Sequence, residues 1–176
     1  MPGACPSASR SGVERHVMTT ALNVLIVEDS PNDAELLLAE LRSAGFDPHW
    51  KRVETEPEFL AELQNLPELI ISDYSMPHFS GLRAVELLQQ SALNIPFLLI
   101  SGTVGEDVAV EAMRRGACDY IPKATLNAQS MRRAIETALG KVGSEKAARQ
   151  QTYELEKSLQ FLEAALGLIA NMIEKE

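Results

Sequence analysis

Residues 69–81 read LIISDYSMPHFSG. Leu69, Ile70, Ile71 and Ser72 form a short β-favouring run that stops at a carboxylate, Asp73. A helical pattern over 81–91 follows, with Leu82, Val85 and Leu88 on one face. A strand this apolar has no face suited to water. It belongs in a sheet covered on both sides.

The same unit recurs on either side. Upstream, Val24-Leu25-Ile26-Val27 ends at Glu28-Asp29. Ser30-Pro31 then supplies an N-cap and a first-turn proline, and Leu36, Leu37, Leu41 and Ala44 continue at helical spacing to Gly45. Residues 49–53 make a second strand, and Pro57 opens a helix carrying Phe59, Leu60 and Leu63. Downstream, residues 96–100 form a fourth strand ending at Ser101, and a helix over 106–115 stops at Gly116. Residues 119–122 make a fifth strand ending at Lys123, and a last helix begins near Ala128. Strand–helix alternation of this kind predicts an α/β fold, a five-stranded parallel sheet wound on both faces.

Composition agrees with a globular chain. Of 176 residues, 45% are hydrophobic and 23% charged, which excludes collagen-like and disordered classes. A net charge of −9 with no basic run argues against direct nucleic-acid binding. Cys5 and Cys118 show no metal or disulfide spacing, so a reducing, cytoplasmic setting is expected. No apolar run is long enough for a membrane span. Residues 1–20, rich in Ser, Ala, Gly and Pro, read as a disordered leader.

In a sheet of this kind ligands bind beyond the carboxyl ends of the strands. That rule collects Glu28, Asp29, Asp73, Ser101 and Lys123 at one edge. Three converging carboxylates repel one another unless a cation compensates, and Mg²⁺ suits carboxylates, water and phosphate oxygens. A hydroxyl and an ammonium suit phosphoryl oxygens. The set therefore predicts Mg²⁺-assisted phosphoryl transfer to or from a carboxylate.

Four segments carry a family resemblance: LIVEDS at 25–30, ISDYSMPHFSG at 71–81, LLISGT at 98–103 and DYIPK at 119–123. With them, residues 23–140 resemble a receiver domain of a two-component response regulator. The resemblance implies a flavodoxin-like strand order. It implies that Asp73 accepts a phosphoryl group from a sensor histidine kinase or phosphotransfer protein. Glu28, Asp29, Asp73 and the carbonyl of Ser75 would hold Mg²⁺, and Lys123 would pair with the phosphoryl oxygens. Ser101 and Tyr120 would be the switch residues. Such a receiver catalyses only its own phosphorylation and dephosphorylation. Two departures stand out: Pro122 precedes Lys123 where a proline usually follows the lysine, and Ser80 replaces a frequent Asp. The alternatives are a phosphatase of similar fold with an aspartate nucleophile, and a pseudo-receiver. The first would want an Asp where Ser75 stands, and the intact acidic set disfavours the second.

These readings divide the chain into the leader over 1–20, the receiver over 21–140 and a signalling helix over 141–176. In that helix Leu155, Leu159, Leu162, Leu166, Ile169 and Ile173 follow a 4-3-4-3-4 spacing, which suits the seam of a coiled coil and of a homodimer; the alternative is an amphipathic helix that packs on its own domain. Gly140 and Gly143 just before it predict a bend or joint. Five basic and six acidic residues over 141–176 again argue against DNA binding. The chain ends within a helical pattern, so an output domain is expected beyond it. Residues 165–174 resemble the leader helix of an HD-GYP phosphodiesterase domain; a kinase or GGDEF domain would use a similar helix.

Overall fold

The computed structural model describes residues 19–102 and 106–173. Five strands alternate with helices: β1 (Thr20–Val27), α1 (Pro31–Ser43), β2 (Phe46–Val53), α2 (Glu56–Leu63), β3 (Leu69–Asp73), α3 (Gly81–Gln90), β4 (Phe97–Ser101), α4 (Glu106–Arg114), β5 (Asp119–Pro122) and α5 (Ala128–Ile173). All strand pairs are parallel, in the order β2-β1-β3-β4-β5. The doubly wound order follows from right-handed crossovers that run outward from β1 in both directions.

Side-chain alternation along the strands splits the core into two layers. Val24, Ile26, Leu69, Ile71, Leu98 and Ile100 pack with Leu37, Leu38 and Leu41 of α1 and Met131, Ala134, Ile135 and Ala138 of α5. Leu25, Val27, Ile70, Phe97 and Leu99 face the other way, onto Phe59 and Leu63 of α2, Val85 and Leu88 of α3 and Ala112 of α4. Every residue of β3 and β4 is buried, as the sequence leads one to expect for central strands.

Local chemistry sets the helix starts at the carboxyl edge. The Ser30 hydroxyl accepts a hydrogen bond from the Asp33 amide at 3.3 Å and caps α1. The Ser80 hydroxyl accepts likewise from the Arg83 amide at 3.2 Å and caps α3.

Four details differ from the sequence reading. β1 starts at Thr20 rather than at Val24. β2 begins at Phe46, because Gly45 (φ +88°) turns the chain directly from α1 into the strand. Pro48 fits inside β2 since this is an edge strand. Leu36 is 64% exposed; α1 buries Ala34, Leu37, Leu38 and Leu41 instead, and Leu36 lies off that stripe. Finally, α5 runs through Gly140 and Gly143 as one uninterrupted helix, with no break at the expected joint. A glycine costs a helix roughly 1 kcal/mol relative to Ala, too little to interrupt one of 46 residues.

Residues 1–18 of the leader lie outside the described residues, as do the side chains of Ile169 and Ile173. Among the described residues no helix is long and apolar enough to cross a membrane.

Candidate functional site

The carboxyl ends of β1, β3, β4 and β5 meet at one edge of the sheet, and the expected side chains arrive there with them. Glu28, Asp29 and Asp73 each offer an oxygen within 4.8 Å of the others. Glu28 is only 1% exposed and Asp73 is also buried, whereas Asp29 stands at the open side. Lys123 extends across from the end of β5, with its Nζ 3.5 Å from Asp73 Oδ1 and 3.8 Å from Glu28 Oε2. Ser101 is buried at the end of β4. Next to it, the Ile100 carbonyl accepts a 2.8 Å hydrogen bond from the Tyr74 amide, which ties the exit of β3 to the end of β4.

Two side chains sit further out. Tyr120 is half-buried on β5, level with Leu99 and packed against the α2–α3–α4 layer. Ser75 is exposed, two residues beyond Asp73. After β5 the chain makes a short 3₁₀ turn over Lys123–Thr125, and all peptide bonds among the described residues are trans. Pro122 therefore forms the last position of the strand itself, and Lys123 starts the turn.

Gly81 explains how closely α3 approaches. A Cβ at this position would collide with the Asp73 carbonyl oxygen and come within 2.5 Å of Leu99 Cδ1. The Gly81 amide donates to the Tyr74 carbonyl at 3.2 Å. Only glycine lets the helix start sit this close behind the acidic residue.

The electrostatics are those of an anionic pocket short of positive charge. Burial, reinforced by the Asp73 carboxylate, pushes Glu28 up to about 7 against the partial relief of the Ser30 amide. Burial also raises Asp73, while Lys123 and the Tyr74 amide oppose the rise. Burial works against the Lys123 ammonium, but its hydrogen bond to Asp33 and the charges of Asp73 and Glu28 outweigh it and raise its pKa. Glu28 Oε2 is buried with no hydrogen-bond partner. An orphaned carboxylate oxygen among three clustered carboxylates is the environment a hard divalent cation satisfies, so these residues fit Mg²⁺.

Two contributors were not foreseen from the sequence. Asp33 Oδ2 lies 2.8 Å from Lys123 Nζ, nearer than any other carboxylate. The Arg52 guanidinium donates to the Glu28 carbonyl at 2.8 Å and the Asp29 carbonyl at 3.3 Å, and so pins the backbone of the acidic pair. The position of Asp33, in the first turn of a helix entering this same edge, is a signal that could have found it. Beside Lys123, an apolar-rimmed cavity of about 200 Å³ is lined by Glu28, Asp33, Leu36, Leu37, Lys123 and Leu126.

The model of the response regulator receiver domain matches residues 24–136. The regulatory protein AtoC of Escherichia coli is 29% identical over 107 residues, which take in 60% of this chain and 23% of AtoC. The phosphate regulon transcriptional regulatory protein PhoB of Klebsiella pneumoniae is 32% identical over 109 residues, 58% of this chain and 45% of PhoB. The chain thus spans less than half the length of these curated relatives. The crystal structure of FixJ-N superposes with a TM-score of 0.59 at 31% identity, covering 68% of this chain and 94% of FixJ-N. The family model spans more than half of the chain, and the chain belongs to the response regulator receiver domain family of two-component signalling.

Proposed function

We propose that this receiver takes a phosphoryl group onto Asp73 from a histidine kinase or phosphotransfer protein. The observation that carries the reading is the convergence of Asp73 with Glu28 and Asp29 within 4.8 Å, with the Lys123 ammonium 3.5 Å from Asp73.

In the step, an Asp73 carboxylate oxygen bonds to phosphorus as the bond from phosphorus to the donor's imidazole nitrogen breaks. That nitrogen keeps the electron pair. Glu28, Asp29 and Asp73, with the Ser75 carbonyl, would hold Mg²⁺. When bound, the ion neutralises charge on the transferring phosphoryl oxygens. The rest is positioning. Gly81 keeps α3 against the Asp73 carbonyl, and Arg52 fixes the backbone of Glu28 and Asp29. Lys123 meets charge on the phosphoryl oxygens. The acyl phosphate hydrolyses in water, which resets the signal. It adds up to about two negative charges, to which Ser101 and Tyr120 respond.

Residues 21–140 act as the receiver and 141–176 as the signalling helix. The protein is a cytoplasmic switch rather than an enzyme acting on a separate substrate, and it does not itself bind nucleic acid. The seam positions Leu155, Leu159, Leu162 and Leu166 are all exposed, and a second copy of the helix would cover them. Charge favours a parallel pair. With Leu159 and Leu166 at a, and Leu155 and Leu162 at d, Glu156 and Glu163 fall at e. In parallel register they face the neutral Gln151 and Ser158 of the other helix, whereas antiparallel pairing sets glutamates against each other.

Incubation with Mg²⁺ and acetyl phosphate, followed by intact-mass analysis, tests the central claim. The expected result is addition of one phosphoryl group, abolished by Asp73→Asn. Phosphoryl incorporation that survives the substitution overturns the assignment.

A further inference from the structure

The Lys123 ammonium is surrounded by three carboxylates and is not shared equally. It lies at 2.8 Å from Asp33, 3.5 Å from Asp73 and 3.8 Å from Glu28. Only the first distance is that of a charge-assisted hydrogen bond. Both ends of this contact are held by the backbone. Asp33 sits in the first turn of α1, where its amide is capped by the Ser30 hydroxyl and the helix dipole favours a negative charge. Lys123 begins the 3₁₀ turn at the end of β5. The pair therefore bridges two elements ninety residues apart in the chain, across the mouth of the site.

We infer that Asp33 is a positioning residue that holds the Lys123 ammonium away from Asp73 until a phosphoryl group draws it across. The inference rests on the reading of Asp73 as phosphoacceptor and Lys123 as its cationic partner. In the resting state Asp33 takes the ammonium's best hydrogen bond, so Asp73 is left incompletely paired beside Glu28. On phosphorylation the extra negative charge on Asp73 competes for the same ammonium. Asp33 then acts in two ways against the phosphorylated form: it retains the cation, and it contributes a like charge near the phosphoryl oxygens. Its loss favours uptake. The energy of a half-exposed ion pair sets the scale, a change of about two- to fivefold.

The test measures phosphoryl uptake by the full chain against acetyl phosphate concentration at saturating Mg²⁺. Asp33→Asn keeps the shape and removes the charge. The expected result is a half-saturating acetyl phosphate concentration lowered about two- to fivefold with little change in the maximal rate. Asp33→Glu restores the wild-type value. Glu35, exposed on the same helix, controls for net charge: Glu35→Gln is expected to leave uptake unchanged. Unchanged or slower uptake in Asp33→Asn overturns the inference, as does an equal shift in Glu35→Gln or failure of the glutamate to restore. Failure of the underlying reading looks different. In that case Lys123→Ala takes up phosphoryl groups as the wild type does, or Asp73→Asn remains phosphorylated.

Discussion

The backbone carbonyl of Asp73 occupies the space where any side chain on Gly81 would have to begin. Behind the same position lie the Leu99 side chain and, at 3.0 Å from the would-be Cβ, the Ser72 hydroxyl. The start of α3 and the end of β3 are thus one packed unit. The acidic residue is held from behind by a helix start and from in front by charge.

Gly81→Ala is therefore expected to destabilise the fold by about 1–3 kcal/mol, the range for forcing a methyl group into a packed site. Urea unfolding monitored by circular dichroism reads the loss. Gly140→Ala serves as the contrast, because a Cβ there meets nothing within 4 Å. It should stabilise α5 slightly. Equal effects of the two substitutions would show that the collision is relieved at no cost.

Removing one carboxylate takes away a ligand and also relieves repulsion among the rest. Asp29→Ala should bind Mg²⁺ much more weakly than the wild type, yet unfold no more easily in metal-free buffer. Isothermal titration and thermal melts with chelator check both halves. Unchanged Mg²⁺ affinity removes Asp29 from the ligand set.

The pH dependence has a defined sign. Burial holds Glu28 at about 7 in the folded protein, against an ordinary value of 4.5. Between these values the unfolded chain has lost a proton that the folded chain retains, so stability falls as pH rises through this window. Asp73, raised by burial, contributes in the same direction. In metal-free buffer, urea midpoints should be lower near neutral pH than near the lower limit of the window, and Glu28→Gln should flatten the change. A wild-type midpoint that rises across the window contradicts this account.

The helix seam makes a prediction about assembly. Light scattering of the full chain at tens of micromolar should give a dimer. Truncation near Gly140, or Leu159→Glu combined with Leu162→Glu, should give a monomer. A monomeric full chain removes the coiled-coil proposal.

The order of elements was readable because β1, β3 and β4 are buried on both faces and contain almost nothing but apolar residues. The carboxyl-edge rule then brought Glu28, Asp29, Asp73, Ser101 and Lys123 to one place without knowledge of any contact. Three features lay beyond that reasoning. Leu36 fits a helical period, but which stripe of α1 is buried depends on the sheet beneath it. Glu28 and Asp29 are adjacent and chemically alike, yet one is buried directly beyond β1 and the other is open at the bend that follows. The first turn of α1 brings Asp33 to this edge, but its pairing with Lys123, ninety residues away, depends on tertiary packing.

The continuity of α5 gives the molecule an angular memory. From Met131, buried in the receiver, to the exposed leucines of the seam, the backbone is a single helix. Each residue of an α-helix advances the azimuth by about 100°. The direction in which the seam points relative to the receiver is therefore set by a residue count, not by a hinge. One inserted residue between Ala138 and Leu155 turns the seam through more than a quarter of a revolution. Seven inserted residues return it to within about 20° of its original heading.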